Sequence, residues 1–283
     1  MIIRHPAKLA AMAIVAGLLS GCAGSLFGGD DTGPQVETKP APELYKEANA
    51  ALNEEEYSGA ATKFEEVDRQ HPYSPEARES ILMAAYAYQK AGKQPEAVAA
   101  ARRYLTLHPG TKEAALAQHI VAEAYFERIN DASRDQSDTK AAIVELETLI
   151  NRYPDSKYAE QARKRIRLAR DIIAAAEMSV GRWYQEKGQY LAAINRYRTV
   201  VSEYQTTAHV EEALMRLTEC YYTLGIVNEA QTAAAVLGHN FPDSKWYKDA
   251  YVLLESKGLE PREDTGSWIS RQWNKIASTV SAG

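Results

Sequence analysis

Two cysteines, six histidines and several short acidic runs are the groups in this chain whose chemistry could be put to work. Cys22 follows Leu19, Ser20 and Gly21. Small residues ahead of a thiol let an extended backbone enter a peptidase, and the thiol is the nucleophile that takes up a lipid. Cys220 sits at helical spacing from Leu217 and Leu224 and reads as a small buried apolar residue rather than a reactive thiol. With Cys22 consumed, Cys220 has no intramolecular disulfide partner even in an oxidising compartment. His5, His71, His108, His119, His209 and His239 show no metal-ligand spacing. His71 and His108 each precede a proline and read as structural punctuation. Glu54, Glu55 and Glu56 read as a solvated turn rather than an acid/base pair. Arg163, Lys164, Arg165, Arg167 and Arg170 spread around a helix, interleaved with Ile166 and Leu168, which predicts a solvated face rather than a phosphate site. No nucleophile elbow, phosphate loop or dinucleotide glycine pattern occurs. The residues therefore predict a chain that is not an enzyme, with no cofactor and no metal.

The front end predicts export. Arg4 and Lys8 precede an apolar run over 9–19, which is too short to serve as a permanent membrane span. With Cys22 the tetrad resembles the bacterial lipobox. That resemblance implies cleavage before Cys22, then a diacylglycerol and an N-acyl chain on it. One acyl chain holds a protein only reversibly, at about 0.8 kcal/mol per buried methylene, so three chains give an essentially permanent membrane anchor. Ala23 follows where an aspartate would favour retention in the inner membrane, so the expected address is the periplasmic face of the outer membrane. Cleavage would leave 262 of the 283 residues, and losing Arg4 and Lys8 takes the formal charge from −5 to −7. An acidic chain without a basic block is a poor nucleic-acid binder. Residues 22–42, rich in Gly, Asp, Thr and Pro, read as a flexible tether behind a signal at 1–21.

What must hold these groups is a repeat. Tyr57, Ala60, Phe64 and Pro72 set a layout echoed by Gly92, Ala97, Ala101 and Pro109. It returns in Gly188, Tyr190, Ala193 and Tyr197, and in Gly225, Ala230, Ala234 and Pro242. A less regular unit carries Ala142, Leu146 and Pro154. The equivalent alanines stand 37, 45, 51 and 37 residues apart; two of these steps approach the period of about 34 of tetratricopeptide repeats. Each unit is predicted to be two antiparallel helices. Small residues are needed where their axes cross, a role that fits Ala48, Ala60, Ala85, Ala97, Ala142, Gly181, Ala193 and Ala230. Glycine suits the turn between the helices and proline ends the second. Asp155-Ser156 and Asp243-Ser244 are expected to cap the helices that follow. The polar stretch 129–139 is expected to be a loop, and 156–184 one long helix or two tightly joined. The fold class is thus all-α: a helical solenoid of about five pairs with an insertion in the third unit. Front repeats are placed at 43–155, back repeats at 156–257 and a tail at 258–283.

A solenoid offers surface. The first helices of its units should line a groove carrying Tyr45, Asn49, Leu82, Tyr86 and Gln89. Seventeen tyrosines against four phenylalanines suit such a groove, although about two-thirds of them are expected to pack between units. In the tail, Trp268, Ile269, Trp273, Ile276 and Val280 recur at helical spacing, predicting an amphipathic helix that caps the open end or meets a partner.

Several segments together resemble the BamD (ComL-like) family of tetratricopeptide lipoproteins. They are Tyr86-Ala87-Tyr88 with Lys90, Arg103-Tyr104-Leu105 with His108-Pro109, Arg134-Asp135-Gln136, Arg152-Tyr153-Pro154-Asp155-Ser156, and 180–197. The resemblance covers roughly residues 42–254 and leaves the tail unmatched. It implies a component of the machine that assembles outer-membrane β-barrels. Its expected partners are a BamA-like barrel protein, held by its POTRA domains through the last repeats, other lipoproteins of that machine, and unfolded barrel proteins in the front groove. It makes Arg196 and Tyr197 candidates for partner contact; Trp268 and Trp273 of the tail helix are candidates from their helical spacing alone. The rival reading is another periplasmic repeat lipoprotein that scaffolds peptidoglycan-synthesis or division enzymes.

Overall fold

The computed structural model describes residues 39–280, and those residues contain helices and turns but no strand. The signal, Cys22 and its lipid, and nearly all of the tether lie outside the described residues, as do the side chains of Ile276 and Val280. The helices are α1 (Ala41–Asn53), α2 (Tyr57–Gln70), α3 (Pro75–Lys90), α4 (Gln94–Leu107), α5 (Ala114–Phe126) and α6 (Ser137–Arg152). They continue as α7 (Ala159–Glu186), α8 (Tyr190–Glu203), α9 (Val210–Thr223), α10 (Val227–Asn240), α11 (Lys245–Glu255) and α12 (Trp268–Val280). Each odd-numbered helix from α1 to α9 pairs with its even successor, and each even helix from α2 to α8 packs on the next odd one. This is the tetratricopeptide solenoid: five pairs, with α11 stacked on α9 and α10 as the closing helix.

Local chemistry explains most boundaries. All seven alanines assigned to helix crossings are fully buried. Gly92, Gly188 and Gly225 take φ of 73°, 70° and 75° in the inter-helix turns. The first unit has no glycine there, so Glu55 takes the left-handed conformation itself, at φ 61°; a side-chain-bearing residue is strained there by about 1–2 kcal/mol. Prolines follow α2, α4, α6 and α10, and the residue before each one (His71, His108, Tyr153, Phe241) leaves the helical region at ψ between 51° and 60°. Those residues donate their N–H to the last turn, so His71 and His108 are helix ends, as their position predicts.

Four boundaries differ from the sequence reading. Helix α1 starts at Ala41, two residues before the expected start of the repeats at 43, because Pro42 fits a first helical turn. The third-unit loop is 127–136; Ser137 to Thr139 form the first turn of α6, and the Thr139 hydroxyl turns inward to Gln136. Asp135 and Asp131 hold that loop by accepting the backbone N–H of Ser137 and Ser133 at 3.1 and 2.8 Å. Ser244 caps α11 by accepting from Trp246 N–H at 3.1 Å, but Ser156 caps nothing, since α7 begins three residues later and Ser156 is spent in a turn. Ser74, by contrast, caps α3 by accepting from Ala77 N–H at 3.0 Å.

The long segment is one helix of 28 residues, α7. Its buried stripe runs through Ala162 and Ile166 into Ala174 and Met178. Ala162 and Ile166 join Ala122, Leu146 and Leu149 in a small middle core, which straddles the expected border between front and back repeats. Ala174 and Met178 belong to the large back core. Among the described residues no helix is long and apolar enough to cross a membrane.

The tail corrects an expectation. Capping of the stack is done by α11, whereas α12 lies across the second helices α8 and α10. Its Ile269 is fully buried and the segment leading into the helix is stitched down. Arg262 N–H donates to Gln231 O at 3.3 Å, Gln231 Nε2 donates to Glu260 O at 2.8 Å, and Asp264 N–H donates to Thr232 Oγ1 at 3.1 Å.

Candidate protein-binding surfaces

The front groove is built on α1 and α3. Tyr45 is half-buried, its ring edge-on to Phe64 with centroids 5.7 Å apart. Burial first, then Glu79 and Glu76 across on α3, push its phenol above the usual range. Asn49 turns its amide back to the Tyr45 carbonyl at 3.0 Å. Tyr86 is half-buried with the Lys90 ammonium 5.5 Å from its centroid, and Gln89 stays partly open beside it. Leu82 does not belong to this surface. It is 3 % exposed and packs with Ile81 and Ala85 in the front core, since an apolar side chain at the meeting of three helices goes inward. The candidate surface therefore keeps Tyr45, Asn49, Tyr86 and Gln89, with the carboxylates of Glu79 and Glu76 near Tyr45. Sequence reasoning missed those two although they lie one turn apart at the start of α3.

On the back half Arg196 is exposed on α8, its Nη1 3.2 Å from Glu177 Oε2 on α7. Tyr197, the next residue, points the opposite way. It is fully buried against Gly181 and donates its hydroxyl to Gln185 Oε1 at 2.8 Å. A helix turns about 100° per residue, so neighbours in sequence do not share a face, and Tyr197 is withdrawn as a contact residue. Trp268 and Trp273 are also engaged within the chain. The Arg198 guanidinium lies 3.9 Å over Trp268, and Trp273 meets Phe241 edge-on at 6.1 Å. Their apolar faces cover the back core, which explains their helical spacing without any partner.

Exposed apolar groups that the sequence reading did not single out occur on the same helix pair, α7 and α8. Trp183 is 51 % exposed at the end of α7 and packs edge-on against Tyr184 at 5.1 Å. Tyr184, Ala192, Asn195, Arg196 and Thr199 line a shallow pocket of about 220 Å³. Leu191, at the start of α8, is 67 % exposed. An exposed tryptophan and an exposed arginine on one helix pair are residue types enriched at interface centres. The adjacent aromatics Trp183-Tyr184 near a helix end were the available signal.

A second, larger cleft of about 420 Å³ opens between α7, α9 and α11 and includes Arg182, Gln185, Tyr190 and Tyr222. Its arginines are paired internally: Arg182 with Glu212 at 3.0 Å, and Arg216 with Glu219 at 2.8 Å. Cys220 lies fully buried beneath, and burial together with Glu219 pushes its thiol up to about 12, so it is not a nucleophile at neutral pH. Among the described residues no three His, Cys, Asp or Glu side chains stand close enough to hold a metal ion.

Of the basic stretch on α7, Arg165 departs from the solvated face expected of it. It pairs with Glu123 of α5, which is only 5 % exposed, and lies 4.6 Å over the Phe126 ring. His119, one turn before Glu123, stacks on Tyr158 at 4.4 Å. Burial first, then Arg165 and Lys157, pull the imidazole down to about 4. Glu123 Oε1 is 3.5 Å from His119 Nδ1 and alone would raise it, but that carboxylate is committed to Arg165. The unfolded imidazole takes a proton near pH 6.5, whereas the folded one resists it until about pH 4. Stability supplied by neutral His119 is therefore present above pH 6.5 and lost as pH falls toward 4, with a slope of at most about 1.4 kcal/mol per pH unit. His119→Phe is expected to flatten that part of the acid limb in urea titrations at stepped pH. An unchanged slope would show that His119 does not set it.

The family model described as YfiO, outer membrane lipoprotein, matches residues 37–237. Among relatives, "outer membrane protein assembly factor BamD" of Caulobacter vibrioides is 42 % identical over 259 residues, covering 91 % of this chain and 83 % of the relative. The protein of the same description from Rickettsia prowazekii is 36 % identical over 248 residues, covering 88 % and 96 %. That of Neisseria meningitidis serogroup A is 35 % identical over 218 residues, covering 74 % and 82 %. The family match ends inside α10, so α11 and α12 lie beyond it. A match over most of the solenoid and three such relatives place the chain in the YfiO family of outer membrane lipoproteins.

Proposed function

We propose that this chain is a non-catalytic scaffold of outer-membrane protein assembly, anchored by lipid on Cys22 to the periplasmic face of the outer membrane. The back surface around Arg196, Trp183 and Leu191 holds the POTRA domains of a BamA-like barrel protein, with other lipoproteins of the machine bound alongside. The front groove of Tyr45, Asn49, Tyr86 and Gln89 receives extended segments of unfolded barrel proteins. Its tyrosines offer apolar area and a hydroxyl at low entropic cost, which suits many related sequences rather than one.

The observation that carries this reading is the exposure of both Trp183 and Arg196 on the paired helices α7 and α8 of a helical repeat whose relatives bear the name of assembly factors. An anchor alone needs no such patch. The test is recovery of the tagged chain from detergent-solubilised membranes. The barrel protein should come with it, and Trp183→Ala combined with Arg196→Glu should lower that recovery at least tenfold, since central aromatic and arginine anchors each contribute about 2 kcal/mol or more. Recovery of peptidoglycan enzymes without the barrel protein would reject the proposal in favour of its rival.

A further inference from the structure

The first helices of the units pack along one another at α1 with α3, α3 with α5, and α9 with α11. Helix α7 stands apart from this pattern. It does not lie along α5 or α9, and polar side chains bridge both gaps. Toward α9 the bridges are Arg182 to Glu212 at 3.0 Å and Gln185 Nε2 to Glu219 Oε2 at 2.9 Å. Toward α5 the bridge is the pair of Arg165 with Glu123, with Arg165 stacked on Phe126 and His119 stacked on Tyr158 just ahead of α7.

These bridges differ in burial. The Glu212 partner Arg182 is 39 % exposed, whereas the side chains of Arg165 and Glu123 are 21 % and 7 % exposed. Apolar helix contacts fix a crossing through shape, without a directional bond. A buried carboxylate and a partly buried guanidinium add a directional requirement, since each displacement strands a charge. A planar guanidinium fixed on one side by an aromatic face and on the other by a carboxylate also defines an angle as well as a distance. The pair lies where the front core gives way to the small middle core, at the joint between the α1–α5 groove and the long helix that carries Trp183.

We propose that Arg165 is a positioning residue: its pair with Glu123 sets how far α7 stands from α5, and so fixes the spacing between the front groove and the back docking surface. The proposal rests on the two-surface reading above for its purpose, but its geometry belongs to the isolated chain. Glu123 is its partner on α5; Phe126 is the face under the guanidinium, and His119, stacked on Tyr158, lies beside the carboxylate.

The experiment measures that spacing in the full chain in detergent. Spin labels go on Thr62→Cys in α2 and His239→Cys in α10, both exposed, and double electron–electron resonance reads the distance distribution. The buried thiol of Cys220 does not take the label, and a sample without the two introduced cysteines supplies the background. The unaltered joint should give one narrow distribution. Glu123→Met with Arg165→Met removes both charges while keeping side-chain length, so no charge is stranded and the helices persist by circular dichroism. Its distribution should be at least twice as wide. Arg165→Lys keeps the charge but loses the planar fork, and should fall between the two; it also serves where the double variant does not fold. A width equal to that of the unaltered chain in these variants overturns the proposal. Failure to recover a barrel protein in the membrane experiment leaves this distance measurement untouched, so the two readings fail separately.

Discussion

Gly181→Ala is expected to destabilise the fold by about 2 kcal/mol, although the same change in an exposed helix interior would stabilise it by about 1 kcal/mol. A Cβ at this position would stand 2.4 Å from Cε1 of Tyr197 and 2.9 Å from Cδ1 and Cζ. The ring has nowhere to retreat, because Tyr197 is fully buried and its hydroxyl is held by Gln185. Overpacking a close-packed interior generally costs 1–3 kcal/mol, so the clash outweighs the gain in helix propensity. Urea unfolding followed by circular dichroism gives the difference directly, from a lowered midpoint at constant slope. A midpoint at or above that of the unaltered chain would mean that α7 and α8 have room to separate, and would remove the reason for a small residue at this crossing.

Ending the chain after Gly258 should have a larger effect, on the order of 5 kcal/mol. Ile269 is fully buried, and burying a side chain of that size is worth about 1.5–3 kcal/mol. Trp268 and Trp273 each add partial burial of a larger ring against the back core. The truncation also frees two groups on α10: Gln231 loses its bond to Glu260 O, and Thr232 loses Asp264 N–H. Whole domains are stable by only 5–15 kcal/mol, so the back half should unfold at much lower urea while the front half, with its own core, persists. Two separated transitions, one at an almost unaltered midpoint, are the expected trace. A single transition at the original midpoint would show that α12 is dispensable.

The layout of the solenoid was legible because its rules are local. A glycine in the turn, an alanine at the crossing and a proline after the second helix each act within a few residues, and Gly92, Ala97 and Pro109 do what their types require. Which side of a helix faces a partner was less legible. Both helices of a pair are buried on more than one side, so an apolar residue in the right period says that it is covered, not by what. Leu82 was assigned to a surface on spacing and Tyr197 on the family resemblance, and the core holds both. The proximity of Gly181 to Tyr197 was hidden although each was noted for its own reason. Arg165 looked solvated among four other basic residues because its carboxylate comes from another helix of another unit. The α12 helix was legible as an amphipathic element, but its hydrophobic face fits an end cap, a partner or a neighbouring groove equally well. Only Thr232, Gln231 and Arg198, distant in the chain, select the groove across α8 and α10.

A helix of the length of α7, 28 residues, spans about 42 Å without interruption. Its beginning shares side chains with the middle core and its end with the back core, and between them the backbone has neither proline nor irregular turn to absorb a strain. Such a rod behaves as a strut. A load applied near Tyr158 is delivered at Trp183 as a tilt of the whole rod rather than dissipated along the way, so the middle of this protein works as a mechanical beam between two ends that never touch.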